Sequence, residues 1–239
     1  MSLSKIPVIV LVTVAFKVML TAPTPPAADN EIVQNAAPLD IKKLRENALR
    51  YAHVVQILLA IVEIATILST SGLLPADLSR LILSTCVFDK GHPERIGLTY
   101  ISLFGAILWI CGALLRFRTY NDLGSFFRYD VSIQKDHKLI TSGAYAYVRH
   151  PSYTGITIAV LGWFMWNFTE GSWIRESALY DTTLGRVWFL VHAIGVILPT
   201  SLVTLLRIPS EDAALKKTFG KEWEEWARRV PYAVIPGVY

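Results

Sequence analysis

Only two cysteines, Cys86 and Cys111, occur in 239 residues. Both lie in or beside apolar runs with no partner at metal-ligand spacing, so no metal is expected and they read as small buried hydrophobes. The chain has no GxGxxG after a strand-like run, no Walker loop, no HExxH, no CxxC and no GxSxG. Soluble nucleotide-binding, zinc-protease and serine-hydrolase chemistry thereby lose their main support. Charged residues make up 18% of the chain and the formal net charge is +4. That surplus is small and dispersed, which argues against nucleic acid as a partner. There is no internal repeat, and no low-complexity tract beyond residues 23–28.

Apolar residues are abundant instead. They reach 53% of the composition, with a mean hydropathy of +0.42, and they cluster in runs long enough to cross or nearly cross a hydrocarbon core. The clearest spans are 51–74, 96–115 and 187–206, with weaker ones at 6–22 and 152–168. Four of the five have a blemish (Lys17; His53, Gln56 and Glu63; the glycines of 152–168; His192 and Pro199), and such residues are tolerated where spans pack on one another. The expected fold is an all-α integral membrane bundle of about five or six spans, with a bilayer as its surroundings. Residues 1–22 also fit a signal peptide, with Lys5 ahead of the apolar run, although Lys17 interrupts it. The proline-rich stretch after it reads as a linker.

Charge placement orients the bundle. Arg116, Arg118, Arg128, Lys135, Lys138 and Arg149 crowd the segment 116–150, and Lys42, Lys43, Arg45 and Arg50 crowd 38–50. Both segments, and the tail after 206, are expected on the cytosolic side, with 75–95 and 169–186 opposite. Three regions follow: 1–50, an N-terminal span and linker; 51–115, transmembrane helices; and 116–239, a catalytic region containing a hairpin at 152–206 and a C-terminal helix. In the tail, Leu215, Phe219, Trp223, Trp226 and Val230 recur at helical spacing, which predicts a helix lying against the bundle or the membrane interface.

Two polar constellations interrupt this apolar chain. In "HKLITSGAYAYVRHPSYTG", residues 137–155, Ser142-Gly143 marks a turn and His150-Pro151 starts a helix. The N–H donors of that helix face the cytosolic interface, where an anionic group can bind. Tyr145, Tyr147 and Tyr153 offer aromatic faces to a flat or cationic ligand, or form an interfacial belt. In "RIPSE", residues 207–211, Pro209 can begin a fresh helix with Glu211 in its first turn. The simpler reading is a capping acid beside a snorkelling arginine.

The paired RHPSY and C-terminal ExxLxxxFGxxW patterns, over about residues 128–239, resemble the C-terminal half of the isoprenylcysteine carboxyl methyltransferases. The first 95 residues carry no matching motif. The resemblance implies a multi-pass enzyme of the endoplasmic reticulum whose active site faces the cytosol. Such an enzyme moves a methyl group from S-adenosylmethionine to the carboxylate of a C-terminal prenylated cysteine on CaaX-processed proteins. Carried over by position, Gln134, His137, Lys138, Leu139, Ile140, Tyr145, His150, Pro151, Ser152, Tyr153 and Glu211 hold the cofactor and Arg207 faces the substrate carboxylate, so that Arg207 and Glu211 are the catalytic pair. The cofactor pocket is then built from the 116–150 connector and the tail. Ala144 stands where many relatives have proline, and Asp212 where glutamate is usual.

An NADPH-dependent sterol reductase shares similar C-terminal motifs, but such enzymes are generally longer. A phospholipid N-methyltransferase would use the same cofactor, yet an amine acceptor has less use for Arg207. A non-enzymatic scaffold docking through 207–239 is the third alternative.

Overall fold

A computed structural model describes residues 2–21, 24, 41–127, 136–192, 194 and 198–238, with side chains described outside 41–46 and 198–206. Among the described residues every regular element is helical: α1 (Lys5–Leu20), α2 (Ile41–Thr70), α3 (Ala76–Cys86), α4 (Tyr100–Leu123), α5 (Pro151–Phe168), α6 (Trp173–Glu176), α7 (Thr183–His192), α8 (Leu198–Phe219) and α9 (Lys221–Arg229), joined by short 3-10 turns. Three stretches, Ser2–Leu20, Asn47–Thr70 and Tyr100–Phe126, are long and apolar enough to cross a membrane. They overlap the expected spans at 6–22, 51–74 and 96–115, the third reaching eleven residues further.

Helix boundaries follow local chemistry. Thr99 and Ser102 exchange side-chain and backbone hydrogen bonds in a capping box that starts α4, which satisfies two N-terminal donors at once. The proline ring of Pro151 suits the first turn of α5. α4 and α5 then pack antiparallel with their backbones in contact. A Cβ added at Gly155 would lie 2.7 Å from the Gly112 carbonyl, and one at Gly105 would lie 2.7 Å from Met165 Cβ. Small residues allow this approach, which supplies dispersion contact where lipid gives no hydrophobic drive between helices. Trp109, Ala159 and Trp166 are buried along the same seam.

α1 completes the core with Ile9, Val12 and Met19, so its contacts are those of a bundle member. At one end of the bundle, Lys5 is fully buried and pairs with Glu63 of α2 at 2.7 Å. The ammonium also donates to the Gly171 carbonyl, and Glu63 accepts from the Trp173 N–H. The segments around 88–97 and 171–177 meet at this end through Phe88 N–H to Ser177 O and Gly97 N–H to Gly171 O. At the opposite end, Arg116 and Tyr120 of α4 both donate to the Met19 carbonyl that closes α1.

The structure corrects several expectations. In the expected span 187–206, α7 runs to His192 and α8 is described from Leu198, with residues 193 and 195–197 outside the described set. Pro209 starts no helix and lies inside α8. The tail is two helices, because Gly220 adopts φ +54, a left-handed backbone that side chains resist. Cys111 is exposed rather than buried, standing on the outer face of α4. Arg116, assigned to the polar connector, belongs to α4 and is buried. The proline-rich linker and Gln134 lie outside the described residues.

Candidate functional site

The site is assembled where α5 begins. His150 precedes the helix, and its carbonyl takes the N–H groups of Tyr153 and Thr154 at 2.9 and 3.3 Å. The N–H groups of Tyr153 and Thr154 are thus taken up within the turn itself. The C-terminal segment covers it: Arg149 N–H donates to Tyr232 O, His150 N–H to Ala233 O, and the Thr154 hydroxyl to Val234 O.

α8 brings the carboxylates. Arg207 and Glu211 are four residues apart and share a helix face, with Arg207 Nη2 2.7 Å from Glu211 Oε1. The Tyr153 hydroxyl donates to the same oxygen at 2.7 Å. His150 lies between two acids, with Nδ1 3.4 Å from Glu211 Oε2 and Nε2 3.0 Å from Asp212 Oδ1. Both ring nitrogens face acceptors, which only a doubly protonated imidazolium satisfies. Burial opposes that charge, but the hydrogen bonds and charges of Asp212 and Glu211 prevail and raise the His150 pKa to about 9. Glu211 is likewise disfavoured by burial, yet Arg207, His150 and Tyr153 hold it down at about 2. Asp212 is lowered against burial by His150 and Arg149.

Asp212 also ties the site together. Its Oδ2 accepts from Arg149 Nε and Nη2 at 3.2 and 3.1 Å, while Arg149 Nη1 reaches the carbonyls of Val230 and Pro231. One side chain thus links α8, the start of α5 and the C-terminal segment. With His150 protonated, Arg149, His150 and Arg207 supply three positive charges against the two of Glu211 and Asp212.

The loop before α5 forms the adjoining wall. Gly143 takes φ +63 and opens the turn Gly143–Ala146. Tyr145 is buried with Trp226 and Val230, and Leu123, Leu139, Ile140 and Trp223 pack around them. Trp226 Nε1 donates to the Tyr145 carbonyl at 3.1 Å. Burial pushes the Tyr145 hydroxyl pKa upward. His137 stacks on Phe126 with ring centroids 4.7 Å apart and meets Phe219 edge-on; desolvation lowers its pKa. Ser152 accepts from the buried Arg116 at 2.6 Å, and Pro151 is buried. Lys138 is exposed, and Tyr147, at 74% exposure, lies outside the aromatic wall.

His150, Tyr153, Arg207 and Glu211, singled out by sequence, are therefore in direct contact. Three participants were not singled out. Asp212 read as a neutral exchange, although its adjacency to Glu211 was a signal. Arg149 and Arg116 read as interface charges, because sequence does not reveal that a tail carbonyl or a serine hydroxyl awaits each. Among the described residues, no group of three or more His, Cys, Asp or Glu side chains is placed to hold a metal ion.

Residues 105–174, which include the α4–α5 seam and the RHPSY stretch, match the model of the isoprenylcysteine carboxyl methyltransferase family. The chain is similar to that family. It is 31% identical to the human protein-S-isoprenylcysteine O-methyltransferase over 141 residues, 58% of this chain and 43% of the relative. Against protein-S-isoprenylcysteine O-methyltransferase B of Arabidopsis thaliana it is 31% identical over 140 residues, 56% of this chain and 59% of the relative. The Xenopus laevis protein-S-isoprenylcysteine O-methyltransferase is 29% identical over 143 residues, 59% of this chain and 42% of the relative. The chain thus spans between two fifths and three fifths of the isoprenylcysteine methyltransferases it matches.

Proposed function

We propose that the protein methylates the carboxylate of a C-terminal prenylated cysteine on CaaX-processed proteins, with S-adenosylmethionine as donor, at the cytosolic face of the endoplasmic reticulum membrane. The observation that carries this reading is the convergence of Arg207 and Glu211 of α8 on His150 and Tyr153 at the start of α5. The similarity to the isoprenylcysteine methyltransferases supports it.

The residues present fit the donor. Leu139, Ile140 and Tyr145 make an apolar wall, His137 keeps a buried Nδ1 without a hydrogen-bond partner, and Glu211 supplies a carboxylate for a cationic amine or sulfonium. When bound, S-adenosylmethionine supplies an electrophilic methyl group on sulfur. The acceptor carboxylate is ionised at neutral pH, so no residue has to remove a proton. What the chain must do is align and partly desolvate the reacting groups, which is worth several kcal/mol of barrier. Arg207 presents a planar fork to a carboxylate, and Glu211 fixes its roll. Tyr153 and His150 in turn hold Glu211 in place. The helices beneath the site accept a prenyl chain sideways, in keeping with an enzyme housed in a membrane.

The test is methyl transfer by purified protein in lipid vesicles, offering a small farnesylated cysteine and labelled S-adenosylmethionine. A base-labile methyl ester on the farnesylated cysteine is the expected product. Tight NADPH binding without donor binding, or transfer to a phospholipid amine instead, would replace this reading with one of its rivals. Labelling in sealed vesicles should place Lys138 and Lys217 on the same side, since one site draws on both segments.

A further inference from the structure

Polar atoms buried without partners are uncommon in folded proteins, and three of them surround the loop 137–145. They are Asp122 Oδ2 at the end of α4, His137 Nδ1 in the loop, and Trp223 Nε1 on α9. Their placement is shared. Asp122 Oδ2 lies against Gly143, 3.0 Å from where a Cβ would stand. His137 touches Phe126 just beyond α4 and Phe219 just before α9. Trp223 packs on the cluster of Tyr145, Leu139 and Ile140. Asp122 and Glu211 both act electrostatically on the Tyr145 hydroxyl, and Asp122 lies against the turn that carries Tyr145.

The chemistry of the three atoms is complementary to one kind of molecule. Asp122 Oδ2 offers an acceptor, Trp223 Nε1 a donor, and His137 either, according to its tautomer. Leu139, Ile140 and Tyr145 between them are apolar or aromatic. A nucleoside presents a flat base with acceptor nitrogens and, beside it, a diol whose hydroxyls donate. The second oxygen of Asp122 is occupied by Arg118 at 3.1 Å, which fixes the carboxylate and leaves Oδ2 directed at the turn. The glycine at 143 is required for that closeness, since a side chain there would press on the carboxylate.

We propose that Asp122 is a ligand-binding residue that accepts a hydrogen bond from the ribose diol of the adenosyl group, with Trp223 Nε1 donating to the same ligand. This rests on the reading of the site as one for an adenosyl methyl donor. It adds an acid that lies outside the RHPSY and RIPSE segments altogether.

Binding to the purified protein in lipid nanodiscs tests it, with S-adenosylhomocysteine and its 2′-deoxy and 3′-deoxy forms as probes. A hydrogen bond to a charged acceptor predicts that Asp122→Ala weakens S-adenosylhomocysteine by roughly 10- to 100-fold. One deoxy probe should lose a similar factor on the unaltered protein and lose nothing further on Asp122→Ala, because the two changes remove the same contact. Asp122→Asn retains shape and guards against misfolding, and should fall between the two. Trp223→Phe keeps the ring and should cost several-fold. Additive losses, or wild-type affinity in Asp122→Ala, would overturn the assignment while leaving the proposed activity intact. Failure of the unaltered protein to bind any adenosyl probe would remove both.

Discussion

The two ends of the bundle each bury charge, and they do so differently. At one end Lys5 and Glu63 form a single pair, 0% and 7% exposed at the side chain. Each partner is completed by the backbone, Lys5 by Gly171 O and Glu63 by Trp173 N–H. At the other end Arg149, His150, Arg207, Glu211 and Asp212 form a five-member network whose arginine and carboxylate side chains are 15–19% exposed. The first pair is completed by backbone groups, and it joins α1, α2 and the turn after α5. The second spreads its charges over five side chains from three segments and keeps partial exposure. Burial alone does not distinguish a structural staple from a site; residual exposure and the number of ionisable partners do.

The largest expected effect breaks the closed end. Lys5→Met leaves Glu63 buried without its counter-charge, and should lower stability by about 3–5 kcal/mol. The melting midpoint in detergent measures it, and adding Glu63→Leu should recover most of the loss. Protein that remains folded should keep its donor affinity, since the pair lies at the far end from Glu211. A large fall in donor affinity with unchanged melting would reverse the assignment of the two ends.

Next comes the open end. Arg207→Lys keeps the charge but loses the fork, and misalignment of about an ångström should lower turnover on the order of a hundredfold while donor binding changes little. Arg207→Ala should be worse, because a carboxylate would then enter the site without a counter-charge. Near-normal turnover in Arg207→Lys would return Arg207 to an interface role. Tyr153→Phe removes one hydrogen bond to Glu211 and should weaken donor binding by about tenfold, with a smaller change in acceptor KM.

Much of this was legible in the chain. Apolar runs located α1 and α5 to within a few residues and the cores of α2 and α4, because a helix in lipid must be largely apolar and close its own hydrogen bonds. The spacing of Arg207 and Glu211 placed both on one face, and His150-Pro151 marked a helix start. The covering of that start by Tyr232, Ala233 and Val234 was not legible, since backbone carbonyls carry no sequence signature. Nor was the break at Gly220, where an apolar periodicity continued unaltered through a change of helix axis. Asp212 was hidden by its own conservatism: it looked like a shortened glutamate, whereas its two oxygens serve different partners.

The smallest effect concerns pH, and it sharpens the comparison through His150. A histidine with an ordinary pKa of about 6.5 would lose charge roughly eightfold between pH 7 and pH 8. His150, held at about 9 by Asp212 and Glu211 against its burial, stays protonated through that interval. Donor affinity should therefore change by less than about twofold from pH 7 to pH 8, and fall as pH rises through about 9. The stability sign is the same. Because the folded pKa lies above the unfolded value, the contribution of His150 is fully present below about 6.5, declines as pH rises, and is lost above about 9. Glu211 works oppositely: held at about 2, it contributes above its unfolded value of about 4.5 and loses that contribution as pH falls toward 2. Glu211, held at about 2, keeps its charge throughout the interval from pH 7 to pH 8. Asp212→Asn removes one of the two carboxylates that hold the proton. It should move the titration of His150 down into this window and give donor affinity a several-fold slope, which Asp212→Glu should abolish. A steep slope in the unaltered protein, or none in Asp212→Asn, would mean that the imidazolium between the two acids is not what positions Glu211.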